Sequence, residues 1–391
     1  MDIFKKTEEK SRYDEAKEAN MYPYFHQLTS GQSTQVVMDG HNTIMIGSNN
    51  YLGLTNNKEV IQAGIDALKK YGSGCSGSRF LNGTLDLHVK FERDLAKFLG
   101  KEQVVTFSTG FQSNLGIISA IAGRNDIIFC DKENHASIYD ACKLSFAKML
   151  RYEHNDMQSL EELLKNADSE KGKLIVTDGV FSMTGQICNL PQIVNLAKKY
   201  SARIMIDDSH GLGVLGEHGK GTAEHFGLEN DVDIYMGTFS KSLASLGGYC
   251  ACGNRVAEFI KHNSRPYIFS ASMPPANVAC AHTALKILIK EPERVKNLAK
   301  ISDYMRKGLK ANGIAIIEST TPIIPIYTYD DQKTLKCCKM LLERGIYVNP
   351  VVSPATPVGQ SLLRTSYTAT HTIAQMDKAI TEIKNVFSLV E

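Results

Sequence analysis

Residues 237–249 read Gly237-Thr238-Phe239-Ser240-Lys241-Ser242-Leu243-Ala244-Ser245-Leu246-Gly247-Gly248-Tyr249, and Lys241 is the only charged residue among them. A solvated lysine ordinarily sits among other charges. Here its neighbours are hydroxylic, apolar or glycine, and glycines let a backbone come close to a ligand. An amine in such a setting loses hydration, so its ammonium form is disfavoured and it becomes nucleophilic. That is what covalent attachment to a carbonyl compound requires. The competing reading is a plain surface charge, and the surrounding sequence has to decide between them.

Upstream of Lys241 the chain alternates between short β-rich runs and helical stretches. The runs are VVTF (104–107), DIIFC (126–130), KLIVTD (173–178), RIMID (203–207) and DIYMG (233–237), with GYCAC (248–252) after the lysine. Helical stretches such as 110–123 and 190–200 lie between them. The runs are nearly continuous in apolar residues, as in parallel strands covered on both faces. Ligands bind such sheets at the carboxyl ends of the strands. Several polar groups fall there: Ser108-Thr109-Gly110, Asp131 to His135, Asp178, Asp207 and Lys241. From about residue 276 the pattern changes to two helices (276–290 and 291–311). Short strands at 314–319, 323–329 and 346–352 follow, then LLRTSYT and a last helix near 372–388. This reads as a smaller α+β unit.

The bulk composition excludes several function classes. With 44 basic and 42 acidic residues the net charge is +2, which gives no electrostatic footprint for nucleic acid. The nine cysteines form no CxxC pair, and the eleven histidines show no HExxH spacing. Packing thiols in a reducing cytoplasm are expected, and no metal site. The charged N-terminal stretch lacks the apolar segment of a signal peptide. The densest apolar runs are far short of a membrane span.

Four further signals are modest when taken singly. Ser108-Thr109-Gly110-Phe111 precedes an apolar helix, whose N-terminal N–H groups suit a phosphate, although a plain N-cap explains it equally well. GxxxxGK[ST] does not occur, and neither GxGxxG match (72–77 and 211–216) opens an apolar helical stretch, which sets nucleotide loops aside. Asp207-Asp208-Ser209-His210 ends a strand on a carboxylate. It is either a turn or the partner of a protonated pyridine nitrogen. His135 follows another strand end. Arg364 is the lone cation of LLRTSYT, either ion-paired at the surface or a clamp for a carboxylate.

Taken in order, these signals resemble the fold-type I pyridoxal-phosphate enzymes, and specifically the α-oxoamine synthases. The resemblance runs from Asn49-Asn50-Tyr51-Leu52-Gly53 to the last helix. It implies an aspartate aminotransferase-like α/β fold with a large, mainly parallel seven-stranded sheet and a smaller C-terminal α+β domain. The expected division is an arm (1–48), a cofactor-binding domain (49–275) and a C-terminal domain (276–391). The cofactor implied is pyridoxal 5'-phosphate, carried on Lys241. Asp207 would pair with its ring nitrogen, His210 would bond its ring oxygen, and His135 would stack on its face. Gly110, Phe111 and Thr238 would hold the phosphate, joined by Ser270 from the other subunit of a homodimer. Ser182 would lie near the ring oxygen and Asn50 near the substrate, while Arg364 would hold the amino acid carboxylate.

GTFSKS, RPYIFSASMPP (265–275) and YVNPVVSPATPVGQSLLR (347–364) are similar to the bacterial serine palmitoyltransferase branch of that family. This branch implies L-serine and a long-chain acyl-CoA as substrates, and sphingolipid synthesis as the role. Three places depart from the expected pattern: Asp208-Ser209, Ser353 and the less acidic Ser182–Gln186. The alternatives are glycine C-acetyltransferase or another synthase of the family. More distant alternatives are a non-catalytic subunit, which would lack the lysine, and a regulator, which would carry a DNA-binding module. A cytoplasmic protein is expected, with peripheral contact at the inner membrane face left open.

Overall fold

The structure, a computed structural model, describes residues 2–390. Two N-terminal strands, β1 (Gln35–Met38) and β2 (His41–Met45), form a hairpin. The central sheet follows: β3 (Gln103–Phe107), β4 (Asp126–Asp131), β5 (Lys148–Tyr152), β6 (Gly172–Asp178), β7 (Arg203–Asp207), β8 (Ile234–Thr238) and β9 (Gly248–Cys252). Their spatial order is β3-β9-β8-β7-β6-β4-β5. Only β9 runs against the others, because it pairs antiparallel with both β3 and β8. Six strands therefore end on one edge, and that edge carries the site.

The continuous apolar runs have a simple cause. Successive side chains enter different cores, because a strand alternates faces. Ile127 and Phe129 pack on one side of the sheet with Ile204, Ile206 and Tyr249. Ile128 and Cys130 pack on the other with Met205, Met236 and Cys250. Each large side chain so buried contributes about 1.5–3 kcal/mol against the cost of ordering the chain.

The edge strand β5 was not among the sequence runs. Lys148 and Arg151 interrupt its apolar pattern, and it pairs only with β4. Edge strands tolerate such charges and use them to discourage further pairing. The stretch 314–319, expected as a strand, forms only a bridge between Ile316 and Ile326. It faces β10 (Ile323–Tyr329), in which Pro325 has no N–H to donate, so the ladder stays short.

In the C-terminal part, β10 pairs with β13 (Ser361–Ser366), and β12 (Asn349–Val351) pairs with the other side of β13. The two-residue strand β11 (Ile346–Tyr347) instead joins β2 in parallel. Ile44 and Ile46 accordingly enter the same core as Leu341, Leu363 and Ile383. Helix Pro275–Lys290 places Val278, Ala281 and Leu285 in the large-sheet core. Chain order and packing units thus interleave at both expected boundaries.

Candidate active site

The carboxyl ends of the sheet strands enclose a cavity of about 220 Å³. Gly110, Phe111, His135, Ser182, Asp207, His210, Thr238 and Lys241 all line it. Eight of the residues singled out from the sequence therefore meet in one place. They arrive there because strand and helix ends put them there.

Helix Gly110–Ile121 follows β3. Its N-cap is Thr109, whose hydroxyl oxygen accepts from the Gln112 N–H at 3.1 Å. The N–H groups of Gly110 and Phe111 have no intrahelical acceptor, as at any helix start. A Cβ at Gly110 would come within 2.8 Å of Thr238 Cβ, so glycine is what lets this turn lie against β8. The resulting cradle combines free N–H groups, a favourable helix dipole and the Thr238 hydroxyl.

The cavity floor is Asp207, buried at the end of β7. Its Oδ1 accepts from the Ser209 N–H at 3.0 Å. Its Oδ2 accepts from Asn114 Nδ2 at 2.7 Å. The same Asn114 amide donates to Ser137 Oγ at 2.8 Å, and Ser137 Oγ lies 2.7 Å from His135 Nδ1. One chain of hydrogen bonds thus runs from the Asp207 carboxylate to the His135 ring. The neighbouring Asp208 points elsewhere: it accepts from the Thr222 N–H and hydroxyl at 2.7 and 2.6 Å. Burial raises the Asp208 carboxyl to about 6, against those hydrogen bonds.

His210 is buried, with Nδ1 2.7 Å from the Tyr51 hydroxyl. Desolvation, then the charges of Lys241, Arg364 and His135, push its proton affinity well below the ordinary value. The ring is neutral. Burial also raises the Tyr51 phenol, to about 12, so it keeps its proton and can donate to Nδ1. In that arrangement Nε2 carries the ring proton.

Lys241 is half-buried in the cavity wall. Desolvation lowers its ammonium to about 8. Asp207 and Asp178 work against the shift and Arg364 adds to it. This reduced proton affinity is what the isolated charge in the sequence suggested.

Arg364, on β13, is buried and held by neutral acceptors. Its Nε donates to the Ser182 carbonyl at 2.6 Å and its Nη2 to Asn49 Oδ1 at 3.0 Å. Among the described residues no carboxylate forms an ion pair with it. A buried cation without a counter-ion is costly, so an anionic ligand would relieve it.

Three expected residues do not line this protomer's cavity: Arg364, which meets the lining through the Ser182 carbonyl, Asn50 and Ser270. Asn50 spends its amide on its own turn, donating to Thr55 Oγ1 at 2.6 Å and accepting from the Leu54 N–H at 3.1 Å. Its neighbour Asn49 makes the contact to Arg364. Ser270 follows the short helix Arg265–Ile268, outside the cavity lining. Sequence reasoning missed Asn114, Ser137 and Tyr51. Asn114 left a trace, being a polar residue buried one turn into its helix, immediately before the apolar run Leu115–Ile118.

The residues fit pyridoxal phosphate on structural grounds. The cavity holds an amine, a carboxylate at its floor and a phosphate cradle. Two buried acceptor atoms of its lining, Asp178 Oδ1 and Asn114 Oδ1, have no hydrogen-bond partner.

The chain belongs to the class I and II aminotransferase family, whose model matches residues 41–383. Within that family it stands with the α-oxoamine synthases. It is 52% identical to the serine palmitoyltransferase of Sphingobacterium spiritivorum, over 97% of this chain and 95% of that one. It is 40% identical to the 8-amino-7-oxononanoate synthase of Thermoanaerobacter pseudethanolicus, over 96% of each. A high-resolution structure of SPT with its PLP internal aldimine superposes with a TM-score of 0.97 at 36% identity, covering 100% of this chain and 99% of that one.

Proposed function

We propose that the protein is a pyridoxal-phosphate-dependent serine palmitoyltransferase. It would join L-serine to a long-chain acyl-CoA with loss of CO2 and CoA, giving 3-ketodihydrosphingosine. The observation that carries the reading is Arg364. It is a buried guanidinium with only neutral partners, close enough to the cavity to depress the Lys241 ammonium. An amino acid carboxylate meets that need, and a guanidinium binds it in two-point fashion.

Pyridoxal phosphate, when bound, supplies an electron sink for the pair left at the amino acid Cα. Lys241 carries it. The Lys241 amine would be the group that takes the Cα proton, at Nζ. Asp207, whose orientation Asn114 and the Ser209 N–H fix, would pair with the ring nitrogen. His210 would donate Nε2–H to the ring oxygen, beside Ser182. His135 covers the ring face. Gly110, Phe111 and Thr238 hold the phosphate. Phe111 and Leu246 line the cavity yet remain half-exposed, and they give the acyl chain an apolar rim.

The active unit is proposed to be a homodimer, with Ser270 reaching the partner's phosphate and Asn50 placed near the substrate. The division into arm (1–48), cofactor domain (49–275) and C-terminal domain (276–391) is kept as the functional one. The cytoplasm is the proposed compartment, with peripheral contact at the membrane where the acyl chain is delivered. Among the described residues no helix is long and apolar enough to cross a membrane.

A competition assay tests the reading. Purified holoprotein is given serine, glycine and alanine together, with palmitoyl-CoA and acetyl-CoA, and the products are weighed by mass spectrometry. A long-chain 3-keto amino alcohol from serine supports it. A short product from glycine and acetyl-CoA would move the protein to another branch of the family while leaving Lys241 and the cofactor in place.

A further inference from the structure

A cluster outside the cavity contains a histidine that the mechanism does not use. His154 stands two residues beyond β5, and both of its ring nitrogens face acceptors. Nδ1 lies 2.9 Å from Asp131 Oδ1, at the end of β4. Nε2 lies 3.1 Å from Gln186 Oε1 and 3.5 Å from Glu133 Oε2. Phe181 meets the ring edge-on, with centroids 4.3 Å apart. Asp131 is itself fixed, because its two oxygens accept from the Glu133 and Asn155 N–H groups at 2.8 Å each.

Gln186 and Phe181 close a tight loop. The Phe181 N–H donates to the Gln186 carbonyl at 2.9 Å and the Gly185 N–H to the Phe181 carbonyl at 2.8 Å. Gly185 has φ +70°, and a Cβ there would meet the Ile323 carbonyl at 2.4 Å. The Thr321 hydroxyl holds the loop's far side through the Gly185 carbonyl, at 2.8 Å. Inside this loop sits Ser182, whose carbonyl accepts from Arg364 Nε. The path from the sheet to the arginine is therefore continuous: Asp131, His154, Gln186, the Ser182 carbonyl, Arg364.

We infer that His154 is a positioning residue for Arg364: by tying the 181–186 loop to the end of β4, it fixes the carbonyl that aims the guanidinium at the substrate carboxylate. This rests on the carboxylate role proposed for Arg364. A ring that donates from both nitrogens is an imidazolium. Burial opposes that state, but Asp131 and then Glu133 outweigh it and raise the proton affinity above the ordinary value. These two carboxylates are the charged groups facing the ring; the nearby Lys132 is engaged by Glu153. Because the shift is upward, the two-sided bridge is complete at low pH. It is lost as pH rises through the folded value, above 6.5.

The test uses holoprotein and separates KM from kcat. His154→Ala should raise the serine KM by roughly fivefold to tenfold, with kcat and cofactor absorbance little changed, and His154→Gln should recover part of the loss. Gln186→Glu adds a third carboxylate and should carry the alkaline rise of the serine KM to higher pH. Parallel losses in kcat, cofactor binding and KM in both His154 variants would mean a merely structural role and overturn the inference. So would a pH profile unmoved by Gln186→Glu. Arg364→Ala is the control. If it raises the serine KM and His154→Ala does not, this inference alone falls; if neither does, the clamp reading falls as well.

Discussion

The sheet side of the cavity ties its side chains into one hydrogen-bonded chain, with only the acceptors Asn114 Oδ1 and Asp178 Oδ1 unpartnered, whereas the arginine side leaves a charge open. On the sheet side, Asp207, Asn114, Ser137 and His135 form one connected chain supplied by β7 and two helix starts. On the other side, Arg364 comes from β13 of the C-terminal sheet and rests on a carbonyl and an amide. A connected network is preorganised and holds a resident group in one pose. An open cation is suited to a ligand that comes and goes. The difference separates the part of the site built for a cofactor from the part built for a substrate.

The comparison breaks most sharply at Lys241. Lys241→Ala should reduce turnover by more than about 10⁴-fold, because both covalent attachment and Cα proton transfer depend on Nζ. Product formation in a discontinuous assay checks this, and residual turnover near the wild-type rate would dismiss the site. Asp207→Asn should come next, lowering kcat by about 10²–10³-fold while leaving the serine KM within a few-fold, since it weakens only the sheet side. A reversed pattern would mean that the two sides are not separate.

Asn114→Leu sharpens the comparison. It deprives Asp207 Oδ2 and Ser137 Oγ of their shared donor, a loss of about 1–3 kcal/mol. Cofactor affinity, measured by absorbance titration, should fall by roughly tenfold or more. A change confined to the serine KM would assign Asn114 to the wrong side. The smallest effect is kinetic and pH-dependent. In the apoprotein the neutral fraction of Lys241 rises with pH and saturates above about 8. Reconstitution with pyridoxal phosphate should accelerate up to that pH and then level off. Continued acceleration towards 10.5 would mean that burial does not activate the amine.

The sheet side was far more legible in the sequence than the arginine side. Strand ends are local signals: an apolar run stops on a polar residue, and parallel topology brings such ends together. Lys241, Asp207, His135 and His210 could be read in that way. Asn114 and Ser137 could not, because Asn114 acts on a strand end 93 residues away in the chain and Ser137 joins the network only through Asn114, 23 residues away, and His135. Asn49 was missed for a related reason. Nothing local distinguishes it from Asn50, and only the approach of β13 decides which amide meets Arg364. The interleaving of Ile44 and Ile46 with the C-terminal core was equally hidden, since parallel pairing of β2 with β11 joins segments some 300 residues apart.

The most direct test of the account asks whether Arg364 reads the substrate carboxylate. L-serine and L-serinamide would be titrated into wild-type holoprotein and into Arg364→Ala, following the cofactor absorbance. Wild type should prefer serine by about 10–100-fold, in line with about 1.5–3 kcal/mol for a charge-assisted pair, and the variant should lose most of that preference. Equal discrimination by the two proteins would contradict the account, because the open cation would then have no part in choosing the substrate.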